Sequence, residues 1–282
     1  MSAPARATSA ELTRRPTERV KVTRVTGPEG DREAHVRPDD LIVEEPLSIQ
    51  LDGSLVSTTM RTPGHDHELA VGFCFTEGLF GGAEVLGVRH CSDETTAASV
   101  SNVVTVDTGA LAPVPTPRLG NASSSCGWCG SQHLDEMCAR FEPLPDGGPV
   151  DLDVIGSIVD AVVDGQGLFA STGSVHAAAA FNSSGAVLLT REDVGRHNAV
   201  DKVVGALVLE RNALPAIGHG LFVSGRASIE MVQKAWAAGF STLVSVSAPT
   251  ALAVDAARRA NLVLAGFVRG DGFNVYSPER LP

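Results

Sequence analysis

The sharpest chemistry in this sequence sits in Ser123-Ser-Ser-Cys126-Gly-Trp-Cys129-Gly130, where two thiols are separated by two residues. Small residues surround them, and Pro-rich breaks lie on both sides, Ala112-Pro-Val-Pro-Thr-Pro-Arg118 and Glu142-Pro-Leu-Pro-Asp-Gly-Gly-Pro149. That setting predicts an exposed, mobile loop that can present a thiolate to something outside the protein. Cys74, in Gly-Phe-Cys-Phe, reads instead as a core residue. The CxxC spacing tends to lower the pKa of one thiol, making it nucleophilic near neutral pH. Three chemistries fit. Cys126, Cys129, His133 and Cys138 form C-x2-C-x3-H-x4-C, one residue short of a zinc knuckle, and could hold structural zinc as a binding module without catalysis. Against this, His133 and Cys138 fall in the helix-like SQHLDEMCARF, and the surroundings lack the basic charge of a nucleic-acid knuckle. Thiol–disulfide exchange wants its CxxC at the start of a helix in a βαβ unit, and this pair follows a Pro- and Ser-rich loop. In sulfur relay, Cys126 accepts a sulfane sulfur as a persulfide and Cys129 helps bind or release it. The motif alone does not choose among them.

The elements that must position this loop fall into two halves. Residues 1–20 read as a disordered tail, 21–145 as a smaller strand-rich N-terminal domain carrying the CxxC loop, and 146–282 as an α/β domain. In the first half, KVTRVT, LIVEEPLSIQL, SLVSTTM and VVTVD have the β-branched alternation of half-buried strands. A helix should begin at an Asp66 N-cap, with Leu69 and Phe73 on one face, and end by Gly81-Gly82. In the second half a helical stripe (Leu152, Ile155, Ile158, Val159, Val162) precedes a hairpin around Asn182-Ser-Ser-Gly185. Strands at 220–224, 242–247 and 262–267 then alternate with helices at 198–211, 229–239 and 250–260. Such alternation predicts helices packed on a sheet.

Composition narrows the setting. The chain has 282 residues, 43% apolar, enough for a core without staples. With 33 acidic and 22 basic residues the net charge is −11, a field that repels nucleic acid and anionic membranes. A phosphate-bearing partner must therefore be met by a local pocket. No apolar run approaches the roughly 18 residues of a membrane span, and the N-terminal stretch lacks the apolar segment of a signal peptide. Five cysteines, only two of them close together, predict no disulfide framework and a reducing cytoplasm.

Further segments stand in a telling order: Thr62-Pro-Gly, Glu68-Leu-Ala-Val-Gly-Phe, Glu77-Gly, the CGxCG loop, and Thr172-Gly-Ser-Val-His176-Ala-Ala. Arg191-Glu-Asp-Val-Gly-Arg-His-Asn-Ala-Val-Asp-Lys202, Ser224-Gly-Arg226, Phe267-Val-Arg-Gly-Asp-Gly272 and Asn274-Val-Tyr276 complete it. From about residue 35 onward this set resembles the formate dehydrogenase accessory family FdhD. The resemblance implies a homodimeric cytoplasmic sulfurtransferase whose second half is cytidine-deaminase-like. It implies that a cysteine desulfurase loads sulfur onto Cys126, with Cys129 as its partner. The sulfur then passes to the molybdenum of bis-molybdopterin guanine dinucleotide before that cofactor enters the formate dehydrogenase catalytic subunit. It also implies that Phe267, Val268, Arg269, Gly270, Asp271 and Gly272 belong to the cofactor-binding site, which guanine nucleotides are expected to mimic. No resident metal is expected.

Physically, the glycines of 267–272 let backbone approach a ligand, Arg269 can pair with a pyrophosphate, and Asp271 can accept from a guanine edge. Ser224-Gly-Arg226, after a buried strand, is placed as a ligand loop. Arg196-His197-Asn198 can cradle phosphate at a helix start or serve as a charged N-cap flank. His65, His67 and Glu68 read as a polar helix start, and His176 as a satisfied core histidine. Arg269-Gly-Asp271 is an ordinary turn. Cys91 and Cys138 take no role. Nucleobase deamination would need H-x-E and P-C-x-x-C; no H-x-E occurs, and Ser125 stands where the proline should be.

Overall fold

The structure, a computed structural model, describes residues 15–90, 102–114, 134–135, 137, 139–146, 151–210, 214–270 and 272–277. Its N-terminal half opens with a two-stranded antiparallel ribbon, β1 (Thr17–Thr26) and β2 (Glu33–Ile42), in register from Thr17–Ile42 to Thr26–Glu33. The ribbon begins inside the stretch expected as a tail. Neither strand has a fully buried residue, and Pro38 is tolerated in β2 because its strand faces no third neighbour. Next come β3 (Glu45–Leu51), β4 (Ser54–Arg61), β5 (Gly87–His90) and β6 (Val103–Asp107), in the sheet order β4-β3-β6-β5. Helix α1 (Asp66–Thr76) covers this sheet, and Leu47, Ile49, Val104 and Val106 pack with Leu69, Val71 and Cys74 in its core.

The C-terminal half is built on a six-stranded sheet. Helices α2 (Leu152–Val163) and α3 (Gly167–Thr172) precede the hairpin β7 (His176–Phe181) and β8 (Val187–Asp193). Then follow α4 (Arg196–Leu209), β9 (Gly220–Val223), α5 (Ile229–Ala238), β10 (Thr242–Ser245) and α6 (Ala251–Ala260). The antiparallel pair β11 (Val263–Arg269) and β12 (Gly272–Ser277) closes the sheet, whose order is β12-β11-β10-β9-β7-β8. Strands β9, β10 and β11 run parallel, and each side of them is covered. Ala178, Leu221, Leu243 and Leu264 face α4, α5 and α6, while Phe181, Phe222, Val244 and Ala265 face Ile155, Ile158 and Val162 of α2. The short continuous apolar runs of these strands follow from burial on both faces.

Two glycines seat the halves together. Helix α1 crosses α4 so closely that a Cβ on Gly72 would overlap the Asp201 carbonyl, and one on Gly205 would overlap the Glu68 carbonyl. Leu134, Met137 and Leu144, which follow the CxxC segment in sequence, pack into the core beneath α5 and α6. Trp236 Nε1 donates to the Glu142 carbonyl (2.8 Å), and the Leu144 amide donates to the Ala260 carbonyl (2.9 Å).

Candidate functional site

Parallel sheets of this kind bind ligands beyond the carboxyl ends of their strands. Here those ends form one hydrogen-bonded rim. Ser224, just past β9, is tied to the start of β7: its amide donates to the Ala177 carbonyl (2.9 Å), and the Ala177 amide donates to its Oγ (2.9 Å). Ser245, ending β10, donates from Oγ to the Gly225 carbonyl (2.7 Å) and the Ser247 carbonyl (3.0 Å). The Phe267 amide in turn donates to the Ser247 carbonyl (3.1 Å), and Arg269 Nε donates to the Val246 carbonyl (3.2 Å). Hydrogen bonds through the Ser245 hydroxyl and the Ser247 carbonyl thus lead from Gly225 to Phe267 across three adjacent strands.

Phe267 to Gly272 are not a free loop after a strand, as the sequence suggested. Phe267, Val268 and Arg269 belong to β11, and Gly272 opens β12. A bulge between Gly266 and Arg269 turns Phe267 outward with a left-handed backbone (φ 56°), leaving it 45% exposed while Val268 is wholly buried. Gly270 is also left-handed (φ 48°), as the hairpin turn requires. Arg269 is engaged by a backbone carbonyl at the rim, and Asp271 lies outside the described residues.

The start of α4 meets the same rim. A Cβ on Gly225 would lie 3.4 Å from His176 Nδ1 and 3.7 Å from Arg196 Cδ, so the histidine and the arginine converge on this glycine. His176 is therefore a rim residue at the start of β7, paired in register with Asp193, and not a core histidine. Burial first, then the charge of Arg196, pushes its pKa below the ordinary value. For His197, burial together with the charges of Lys234 and Arg196 pushes the pKa down to about 4, so the ring is neutral at neutral pH.

Behind the rim lies a set of buried ion pairs that sequence reasoning missed. Asp66 does not cap α1; His65 occupies the cap position with φ 57°. Asp66 instead receives two bonds from the buried Arg61, Nε to Oδ1 (2.9 Å) and Nη2 to Oδ2 (2.8 Å). Lys202 Nζ pairs with Asp193 Oδ2 (2.7 Å) and donates to the Thr62 carbonyl (3.0 Å), while the Thr62 amide donates to the same Asp193 oxygen (3.1 Å). Lys234 donates to both oxygens of Asp201 (2.8 and 2.9 Å) and to Thr76 Oγ1 (3.0 Å). Burial opposes the Lys234 charge, but Asp201 and Glu77 outweigh it and raise its pKa. Arg191 bonds Glu68, with Nη2 to Oε1 at 2.8 Å. Burial would raise the Glu68 carboxyl, yet Arg191 and His65 bring it down to about 2. The Arg191–Glu68 pair spans 123 residues, and the bonds of Thr62 to Asp193 and of Lys234 to Thr76 span 131 and 158, so no local pattern announces the network. An opening of about 540 Å³ beside the β4–α1 turn is lined by His65, Arg191, Glu192 and Lys202, and their polar groups already have protein partners.

Cys74 is wholly buried, as expected, with burial first and then Asp201 pushing its thiol up to about 12. Cys126 and Cys129 lie outside the described residues, as do Cys91, His133 and Cys138, and with them the mobile-loop and zinc readings. Among the described residues, no helix is long and apolar enough to cross a membrane.

Fold and rim together define an α/β protein with a hydrogen-bonded rim at its parallel strand ends and a second, strand-rich half seated against it. The chain belongs to the FdhD/NarQ family, whose family model matches residues 42–281. A Streptomyces avermitilis protein named "Sulfur carrier protein FdhD" is 44% identical over 274 residues, covering 94% of this chain and 95% of its own. A protein of the same name from Mycobacterium tuberculosis is 45% identical over 254 residues, covering 86% and 91% respectively. Among solved structures, a putative formate dehydrogenase accessory protein from Desulfotalea psychrophila superposes with a TM-score of 0.73 at 25% identity. That comparison covers 94% of this chain and 99% of the other.

Proposed function

We propose that this protein is a sulfur carrier in the maturation of a formate dehydrogenase. Cys126 accepts sulfur from a cysteine desulfurase and delivers it to bis-molybdopterin guanine dinucleotide held at the rim. The observation that supports this most directly is the family match over nearly the whole chain, with Cys126-Gly-Trp-Cys129 standing in the family's CGxCG pattern. The bulge that exposes Phe267 beside two strand-end loops supports a binding role for Phe267 to Gly272. The hairpin β7–β8 beside three parallel strands supports the deaminase-like reading of the second half. The reading also carries homodimers and a cytoplasmic setting.

The chemistry balances on the two thiols. The Cys126 thiolate attacks the terminal sulfur of the desulfurase persulfide; a new S–S bond forms at Cys126, the donor's S–S bond breaks, and the desulfurase cysteine leaves as thiolate. Attack of the Cys129 thiolate on the inner sulfur then releases hydrosulfide and leaves a Cys126–Cys129 disulfide. The two electrons that reduce the sulfane sulfur come from the thiol pair, and the released hydrosulfide is what the molybdenum of the bound substrate takes up. Chain length permits delivery. Asp135 pairs with Arg259 near the C-terminal end of α6, opposite the rim, and α6 spans about 15 Å. The eight residues from Cys126 to Leu134 can extend over about 25 Å.

Intact-mass spectrometry after incubation with a cysteine desulfurase and cysteine tests this. The native chain should gain sulfur and Cys126→Ala should gain none. A native mass carrying zinc, with no sulfur uptake, would overturn the carrier reading in favour of the knuckle formed by Cys126, Cys129, His133 and Cys138.

A further inference from the structure

We propose that Arg196 is the anion-binding residue of the rim, a receptor for a phosphate-type group at the end of the rim away from Phe267. On the reading above, the group it takes is the pyrophosphate of the guanine-bearing pterin; the anion site itself does not depend on that reading.

Arg196 Nε is buried and makes no hydrogen bond, and among the described residues its guanidinium joins no ion pair. A buried donor without an acceptor costs roughly 1–3 kcal/mol, more when charged, and native structures leave few of them. Arg61, Lys202 and Lys234, which are buried whole, each hold a carboxylate within 3 Å, whereas Arg196 is half-buried with only its Nε shut off from solvent. Glu230 is a carboxylate close enough to feel the Arg196 charge, yet the two form no ion pair. The fold has thus supplied carboxylates to the buried cations behind the rim and none to Arg196 at it.

The surroundings specify what fits. Arg196 cannot lose its charge, and its planar fork suits the oxygens of phosphate. It packs against Gly225, where the absence of a side chain leaves the β9 loop open to a ligand's approach. His176 and His197, both held below their ordinary pKa with Arg196 among the causes, add neutral ring nitrogens and no competing negative charge. Arg196 is also the first residue of the fourteen-residue α4, whose cap residue, Gly195, brings no side-chain acceptor of its own. In a chain of net charge −11, Arg196 brings a fixed positive charge to this end of the rim, with Glu230 and the Lys202-paired Asp193 as the neighbouring carboxylates. Two strand spacings separate Gly225 from Phe267, about 10 Å. A ligand with a ring at one end and a pyrophosphate further along would span that interval.

Titration calorimetry on the full chain at low salt, with inorganic pyrophosphate, GDP and guanosine as probes, tests the assignment. Arg196→Gln should weaken pyrophosphate and GDP on the order of tenfold or more and leave guanosine unchanged. Arg196→Lys keeps the charge without the fork and should recover part of the loss; it also carries the test should the glutamine variant fail to fold. Arg258→Gln, at the far end of α6, removes the same charge and should change nothing. Pyrophosphate binding that survives Arg196→Gln, or falls equally in Arg258→Gln, would overturn the proposal. GDP bound no better than pyrophosphate, with both lost in Arg196→Gln, would sustain the anion site while removing support for a guanine-bearing ligand. GDP bound equally by native and Arg196→Gln would do the reverse, and a native chain that binds none of the three would overturn both.

Discussion

The seam between α1 and α4 and the rim at the strand ends lie on the same helix, α4, and they are built on opposite rules. At the seam, backbone meets backbone through Gly72 and Gly205, and the charges buried around it, Asp201 with Lys234 and Asp193 with Lys202, are matched within 3 Å. At the rim, about two and a half turns from Gly205 along α4, Arg196 has a buried donor with no partner, and across the strand ends Phe267 stands exposed on a left-handed backbone. The seam is saturated and the rim is not. Interactions complete within the chain serve stability and position; interactions left open serve something that arrives from outside.

That contrast can be broken at several points. Gly205→Ala should do the most damage, because the neighbour at its Cβ is backbone and cannot swing aside. Denaturant unfolding should show a loss of about 3 kcal/mol or more, and a loss under about 1 kcal/mol would show that the crossing is looser than described. Lys234→Met comes next, since it strands the Asp201 carboxylate in the core. About 3 kcal/mol should be lost, and adding Asp201→Leu should return much of it, because the pair is costly mainly when half of it is missing. An uncorrected double variant would count against that account.

The Glu68–Arg191 pair should show itself through pH. Glu68 is depressed in the folded state to about 2 from an ordinary 4.5. Its contribution is therefore complete above pH 4.5 and is lost as pH falls through that interval toward 2, amounting to about 2–3 kcal/mol. Glu68→Gln should flatten the stability profile over that window, and an unchanged acid limb would assign the effect elsewhere. The smallest effect should come from Arg196→Gln. If the rim is not built for stability, the melting temperature should stay put or rise slightly, corresponding to about 0.5 kcal/mol or less. A marked drop would place Arg196 with the seam.

Much of the second half was legible because its signals are local. Short apolar runs at 220–224 and 242–247 could only be buried strands between helices, and Asn182-Ser-Ser-Gly185 marked the β7–β8 turn. Strand β12 was not, because Asn274 and Tyr276 alternate with apolar residues beside a turn that reads as loop. Strand β2 hid behind Pro38, Asp39 and Asp40, and the six-residue α3 was too short to show a period. At the site, Ser224-Gly-Arg226 and Arg196-His197 were visible as loop and helix start, yet their meeting at Gly225 depends on a sheet order no linear pattern encodes. The network behind the rim was invisible for the same reason, since its links join residues as far apart as Glu68 and Arg191, 123 positions, and Thr62 and Asp193, 131.

The left-handed backbone at Phe267 has a consequence for anyone breeding a sturdier version of this protein. An aromatic side chain in that conformation costs roughly 1–2 kcal/mol that glycine would not. A screen that rewards only heat resistance will therefore favour Phe267→Gly early, and the winners will be robust proteins stripped of the exposed ring that the β11 bulge holds out. If Phe267 binds ligand as proposed, selection on durability and selection on ligand capture pull this position in opposite directions.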